Sequence, residues 1–152
     1  MAVTAEDLRR MLGAEEPDYR SAARLGKSIL PLLRDFARMT GPDVGLAAKA
    51  IALATIIDND VGAEIVAEAS TSAEPIIRVA AASSLGNLRQ VPPGLAARLL
   101  ADADVGVRKS TLRSVARSGA GDPQLAAQLR KIAATDPQAT LRQAAGELLA
   151  EQ

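Results

Sequence analysis

The sequence contains no histidine, no cysteine and no tryptophan, and its aromatic content is one tyrosine and one phenylalanine, Tyr19 and Phe36. Lack of His and Cys argues against zinc and most transition-metal sites. It also argues against His-based acid–base or triad catalysis and rules out disulfides. Two lone aromatics leave almost nothing for stacking on exposed bases. An excess of one charge is missing too: Lys plus Arg number 18, as do Asp plus Glu. No apolar run approaches the roughly 20 residues that span a bilayer. The first residues, Met1 to Asp7, become charged at Glu6 without the apolar stretch of a secretory signal. From these absences we expect a cytoplasmic protein with no cofactor, no metal and no membrane contact, which is not an enzyme.

What is abundant is alanine, the best helix former and small enough to let helices approach closely. The chain also repeats itself, which is the feature to seek before any other. Five segments share one template, an acid or turn residue, an apolar anchor, usually Arg, then small residues at helical spacing. The anchors are Tyr19, Leu46, Ile77, Val107 and Leu141, at intervals of 27, 31, 30 and 34 residues. Such a period accommodates two helices of about 10–14 residues with short turns. The acid three residues before the anchor, Asp43 or Asp104 for example, stands where an N-cap belongs. Anchors and the residues four, seven and eight on form one buried stripe, such as Ile77, Ala81, Ser84 and Leu85.

The intervening helices read as Thr4 to Gly13, Ser28 to Met39, Val61 to Ser70, Pro92 to Ala101 and Asp122 to Ala134. Thr4 and Asp7 resemble a capping box, Pro92-Pro93 and Pro123 suit a first turn, and Asp60 is placed to cap the helix from Val61. Pro31 either opens its helix or bends it. Gly13, Gly41 and Gly119 fall at helix ends, where a left-handed residue is common. One hairpin cannot bury its apolar faces alone, so neighbours must stack. The expected fold is all-α, an α-solenoid of about five hairpins and ten helices, forming a single domain over 1–152.

The Asp104–x–x–Val107–Arg108–x–x–Thr111 run and Ile77-Arg78…Ala81…Leu85-Gly86 resemble HEAT repeats, in particular the HEAT-like repeats of phycobilin lyases. The resemblance implies that the Arg-bearing helices line an inner, concave surface. It implies fold far more than function, because such repeats serve many roles. Ala47 departs from the pattern, since Arg is expected there. Arg20, Arg78, Arg108 and Arg142, with Asp43 and Asp104, are read as structural repeat anchors.

The sharpest candidate for function is cationic. Lys109, Arg113 and Arg117 recur at i, i+4 and i+8, away from the stripe of Val107, Thr111, Ser114 and Val115. Residues 77–152 carry ten basic and six acidic side chains, and residues 1–76 carry eight and twelve. A basic inner stripe would receive an acidic segment or phosphates. The competing reading is structural: Glu147 and Glu151 occupy the matching positions of the fifth copy, so Arg113–Glu147 and Arg117–Glu151 form an inter-repeat ion-pair row. Asp58-Asn59-Asp60 faintly resembles a calcium loop but lacks the Gly and Glu that loop requires. Tyr19 and Phe36 read as gap-filling core residues, with an aromatic anchoring pair as the alternative.

Three functions follow. The first is a non-enzymatic protein-binding scaffold with a partner bearing an acidic segment. The second is nucleic-acid binding by the basic half, and the third a lyase- or chaperone-like subunit. The metal-dependent hydroxylases with this repeat need histidines that the chain does not have. A homo-oligomer is also open, since the first helix (Val3, Leu8, Met11, Leu12) and the last (Leu148, Leu149) are only about half polar.

Overall fold

The computed structural model describes residues 2–14, 17–118 and 123–151. Among them are ten α-helices and no strand: α1 Ala5–Leu12, α2 Tyr19–Ala23, α3 Leu30–Ala37, α4 Val44–Ile57, α5 Asn59–Ala69, α6 Pro75–Ser84, α7 Leu95–Leu100, α8 Val105–Ser118, α9 Pro123–Thr135 and α10 Ala139–Ala150. Three short 3₁₀ turns, at Gly26–Ile29, Gly41–Asp43 and Leu85–Asn87, link them.

The Arg-bearing repeat segments form α2, α4, α6, α8 and α10, and these stack on one another in chain order. Helices α3, α5, α7 and α9 form a second layer, each packed against a member of the first. Contacts between α4 and α6 and between α6 and α8 are extensive, whereas α2 with α4, α8 with α10, α3 with α5 and α7 with α9 touch only in part. The HEAT-like resemblance implies that the Arg-bearing layer is the inner one. The fold is therefore the expected α-solenoid.

Small residues make the close approach possible. Ala47, Ala50 and Ala54 of α4 and Ala81 and Ala82 of α6 are fully buried, interleaved with Ile51, Leu53 and Ile77. Gly62 goes further: a Cβ there would lie 2.7 Å from the Thr55 Cα, so only glycine lets α5 pack this tightly on α4. Phe36 is buried in the same core, with the Arg9 guanidinium 5.8 Å from its ring centre. Tyr19 packs half-buried at the edge.

Local chemistry explains most helix starts and corrects some expectations. Thr4 and Asp7 form the capping box on α1. Asp18 caps α2 through the Ser21 N–H, Asp104 caps the start of α8 through the Val107 N–H, and Pro31 lies in the first turn of α3. Asp58, and not Asp60, caps α5 by accepting from the Val61 N–H. Asp43 stands at the N-cap of α4 but makes no capping bond, because its carboxylate pairs with Arg9 at 3.0 Å. Pro92-Pro93 precede the helix they were expected to open; α7 begins at Leu95, after Gly94 turns the chain at φ +78°. Gly41 is left-handed as expected, at φ +65°, whereas Gly13 is not, at φ −74°. Gly119 and Asp122 lie outside the described residues.

Candidate functional site

Lys109, Arg113 and Arg117 share one exposed side of α8, opposite the buried Val107, Thr111, Ser114 and Val115. The two hydroxyls of that buried stripe are satisfied. Thr111 donates to the Val107 carbonyl at 2.7 Å, and Ser114 donates across the repeat boundary to the Ala82 carbonyl at 2.6 Å. The Ser114 bond ties α8 to α6 and so fixes which side of α8 faces out. Arg117 lies back over Gly86, where a Cβ would stand 2.5 Å from the Arg117 Nη2.

The ion-pair row proposed for this stripe does not form. Among the described residues, no ion pair joins Arg113 to Glu147 or Arg117 to Glu151; the Glu147 carboxylate instead accepts from the Gln143 side chain at 3.1 Å. Like charges at i, i+4 repel by a few tenths of a kcal/mol, so the stripe is an unrelieved cationic surface. Among the described residues, four acids of the first half form ion pairs, Asp43 with Arg9 among them. Arg34–Glu64 and Arg38–Glu68 bridge α3 to α5 at 3.0 and 2.7 Å, and Lys27–Asp58 closes at 3.2 Å. With its carboxylate bound to Lys27 and the Val61 N–H, Asp58 serves the turn and not a calcium loop.

The matching inner positions of other repeats carry different chemistry. They are Ala48, Ala52 and Ile56 in α4, and Val79, Ser83 and then Asn87 after α6. Ile56 is 47% exposed although large and apolar. Along the stack the inner surface thus runs from apolar, through cationic, to Gln143, Glu147 and Glu151.

The repeat arginines form a ladder, but with partners other than those expected. Arg78 donates through Nε and Nη2 to Asp102 at 2.8 and 3.2 Å, and through Nη1 to the Ser72 carbonyl at 2.9 Å. Arg108 repeats this with Asp136 at 2.8 and 3.4 Å and the Asp102 carbonyl at 3.0 Å. Each arginine therefore clamps its own turn and the aspartate of the next repeat. Asp102 and Asp136 stand five residues before the anchors, two before the Asp104 and Gln138 cap positions. They also accept the N–H groups of Asp104 and Gln138 at 2.9 Å. Burial opposes ionisation of Asp102, but the Arg78 hydrogen bonds, the Asp104 N–H and the nearby Arg78 and Arg108 charges outweigh it, and its pKa is lowered.

Asp43 and Asp104 thus have other tasks, an ion pair with Arg9 and a helix cap. Arg20 is exposed and makes no ladder bond among the described residues. Where Ala47 replaces arginine, the next turn has Ser72 in place of aspartate, so both members of that rung are absent together. That pairing is physically sound: losing both partners is nearly neutral, whereas losing one strands a charge.

A cleft of about 940 Å³, which sequence patterns did not indicate, opens where the α4–α5 turn meets the loop before α7, between Lys27, Asp60, Arg89 and Pro92. Asn59, one of its lining residues, is tied to Asn87. Asn87 donates to the Thr55 hydroxyl at 3.0 Å, and Asn59 donates to the Asn87 carbonyl at 3.2 Å.

No helix among the described residues is long and apolar enough to cross a membrane. No family model matches the chain, and no curated protein matches it either. Among solved structures it is similar to a chain of the complex of CpcE and CpcF of phycocyanin lyase from Nostoc sp. PCC7120. The TM-score is 0.71 at 19% identity, over 97% of this chain and 98% of that one. At that identity the likeness establishes the all-helical, HEAT-like solenoid. It also overturns the expectation that the chain is not an enzyme, because a lyase subunit is built on this fold. Absent His and Cys remove particular chemistries; they do not remove Asp, Glu, Arg or Tyr, or groups supplied by a second subunit.

Proposed function

We propose that the chain acts in the cytoplasm as a single-domain subunit of a lyase-type protein assembly, and that it holds its protein partner on the inner face of the fourth repeat. The observation that supports the lyase-type reading is the likeness, over nearly the full length of both chains, to a chain from a phycocyanin lyase complex. The location rests on Lys109, Arg113 and Arg117. They are exposed, without ion pairs among the described residues, and lie on α8, which packs on α6, where the matching positions are Val79, Ser83 and Asn87; one helix further, in α4, they are Ala48, Ala52 and Ile56. An acidic segment with an apolar side complements that surface, and its charge would speed and orient docking.

The test is isolation of the tagged chain from its own host, as wild type and as Lys109→Glu/Arg113→Glu/Arg117→Glu. Partner recovery should fall at least tenfold in the triple variant while its melting temperature stays within about 2 °C, since exposed substitutions have small effects. Equal recovery from both would sink the site. The lyase part is read separately, by mixing the isolated assembly with a linear tetrapyrrole and recording the visible spectrum. A shifted, protein-bound band is expected; the spectrum of free pigment would remove that part of the reading. Duplex DNA binding at low salt, lost in the triple variant, would move the assignment to nucleic acid.

A further inference from the structure

The backbone does not require glycine at position 86. Gly86 lies in the 3₁₀ turn Leu85–Asn87 and is not among the glycines with positive φ, so other residues could adopt its conformation. What it supplies is room. A Cβ there would stand 2.5 Å from Arg117 Nη2, 3.0 Å from Cζ and 3.1 Å from Nε. Those atoms form one edge of the guanidinium, the pair of donors that matches the two oxygens of a carboxylate. Arg78 and Arg108 use the same edge, Nε with Nη2, to hold Asp102 and Asp136. Arg117 is exposed, and its side chain makes no hydrogen bond or ion pair among the described residues. A cation in the last turn of α8 also offsets the negative end of the helix dipole, but a lysine would do that equally.

The surroundings indicate what accompanies the charge. Asn87, next to Gly86, donates to the Thr55 hydroxyl at 3.0 Å and so ties this turn to α4. Ile56 follows Thr55 and is the large apolar residue left exposed on that helix. The cations are one helix wide, because the matching positions are uncharged in α4 and α6 and include Glu147 and Glu151 in α10. A phosphodiester backbone carries charge along its whole length. Laid across the stack, it would meet uncharged surface on one side of α8 and acids on the other. An acidic side chain flanked by apolar ones matches the surface on both counts.

We propose that Arg117 is the specificity-determining contact of the inner face and that Gly86 positions it. The Nε–Nη2 edge takes one carboxylate of the partner's acidic segment in a pair of parallel hydrogen bonds. Lys109 and Arg113 attract the segment, and Arg117 selects the group and sets the register. The proposal rests on the inner-face reading and adds which residue discriminates.

The probe is a synthetic amphipathic peptide with glutamates on one side and leucines on the other. It is titrated into the full chain, read by the arginine Nε–H resonances and by stopped-flow binding. Arg117 should shift before Arg113. Gly86→Ala keeps every charge and adds a methyl to a turn that accommodates it, so the melting midpoint should not fall. The peptide should nevertheless dissociate about tenfold faster, as for the loss of one charge-assisted hydrogen bond. Its association rate should be unchanged, since steering follows the charge. Arg117→Lys should act likewise, whereas Arg113→Lys should alter either rate less than about twofold.

If Gly86→Ala and Arg117→Lys bind as the wild type does while Lys109→Glu/Arg113→Glu/Arg117→Glu does not, the inner-face reading stands and this one ends. Equal loss in Arg113→Lys and Arg117→Lys also ends it, because no single cation then discriminates. No shift of Arg117 at about millimolar peptide overturns it as well, and leaves the inner-face reading to its own recovery test. Inorganic phosphate or duplex DNA shifting Arg117 at lower concentration than the peptide would overturn the carboxylate assignment. A dimer of the chain alone that Gly86→Ala dissociates would make a second copy the source of the acid and overturn a separate partner.

Discussion

Asp102 and Arg78 have side chains only 12% and 18% exposed, and Asp136 and Arg108 only 4% and 13%. At that depth removing one partner leaves a charge without compensation, at a cost of about 3–5 kcal/mol. Asp102→Asn should therefore destabilise the chain by somewhat less, about 2–4 kcal/mol, because the amide still accepts hydrogen bonds. Arg78→Met combined with Asp102→Ser mimics the second-repeat rung, where Ala47 and Ser72 stand together, and should cost less than the two single changes summed. Urea unfolding of the four proteins gives the cycle; additive effects would show that the pair is not coupled. The pH dependence has a definite sign. Since the Asp102 pKa is lowered in the folded state, the unfolded chain takes up the proton first as pH falls. This stabilisation is complete above the ordinary carboxylate value, about 4, and is lost below it as pH drops through the folded-state value. Melting curves between neutral pH and pH 2.5 should show a component of acid destabilisation that Asp102→Asn lacks.

At the level of the helices, two glycines in helix interiors should respond in opposite directions. Gly62→Ala forces a methyl group into the Thr55 backbone, which cannot rotate away, and should destabilise by about 1–3 kcal/mol. Gly146→Ala adds a methyl into open space and removes glycine's conformational entropy cost, so the isolated chain should gain up to about 1 kcal/mol. Denaturant midpoints read both; a loss at Gly146 would mean that α10 is packed in a way the structure does not show. The first hairpin is the weakest element: α2 has five residues, against fourteen in α4 and in α8. A helix that short has little stability of its own.

Across the whole molecule, stability is expected to follow position in the stack, because each repeat contacts only its neighbours. Amide hydrogens of α4, α6 and α8, packed on both sides, should exchange slowest, and those of α2 fastest. Hydrogen exchange read by mass spectrometry checks this, and uniform protection along the chain would contradict it. The charge distribution also belongs to this scale. Zero net charge conceals a first half with an excess of four acids and a second half with an excess of four bases. The ion pairs leave that split unchanged, because Arg34–Glu64 and Arg38–Glu68 each remove one charge of either sign from the same half.

The amino-acid sequence by itself determined the architecture. A period near 30 residues, anchors that recur in five copies and an alanine-rich composition admit little but stacked helical hairpins, since those signals are local and repeated. Helix caps at Thr4 and Asp104 were legible for the same reason. Tertiary structure alone decided which groups meet between repeats. Asp102 and Asp136 lie two residues from the positions that look like the pattern's acids, and only the stacking of one turn over another brings them to Arg78 and Arg108. The same stacking leaves Arg113 and Arg117 without Glu147 and Glu151, because Arg117 lies back over Gly86 and Glu147 turns to Gln143. It also leaves Arg142, Gly146 and Leu149 of α10 half-buried. Partners 24 to 34 residues apart depend on the offset between neighbouring helices, and helical periodicity within one segment carries no information about that offset.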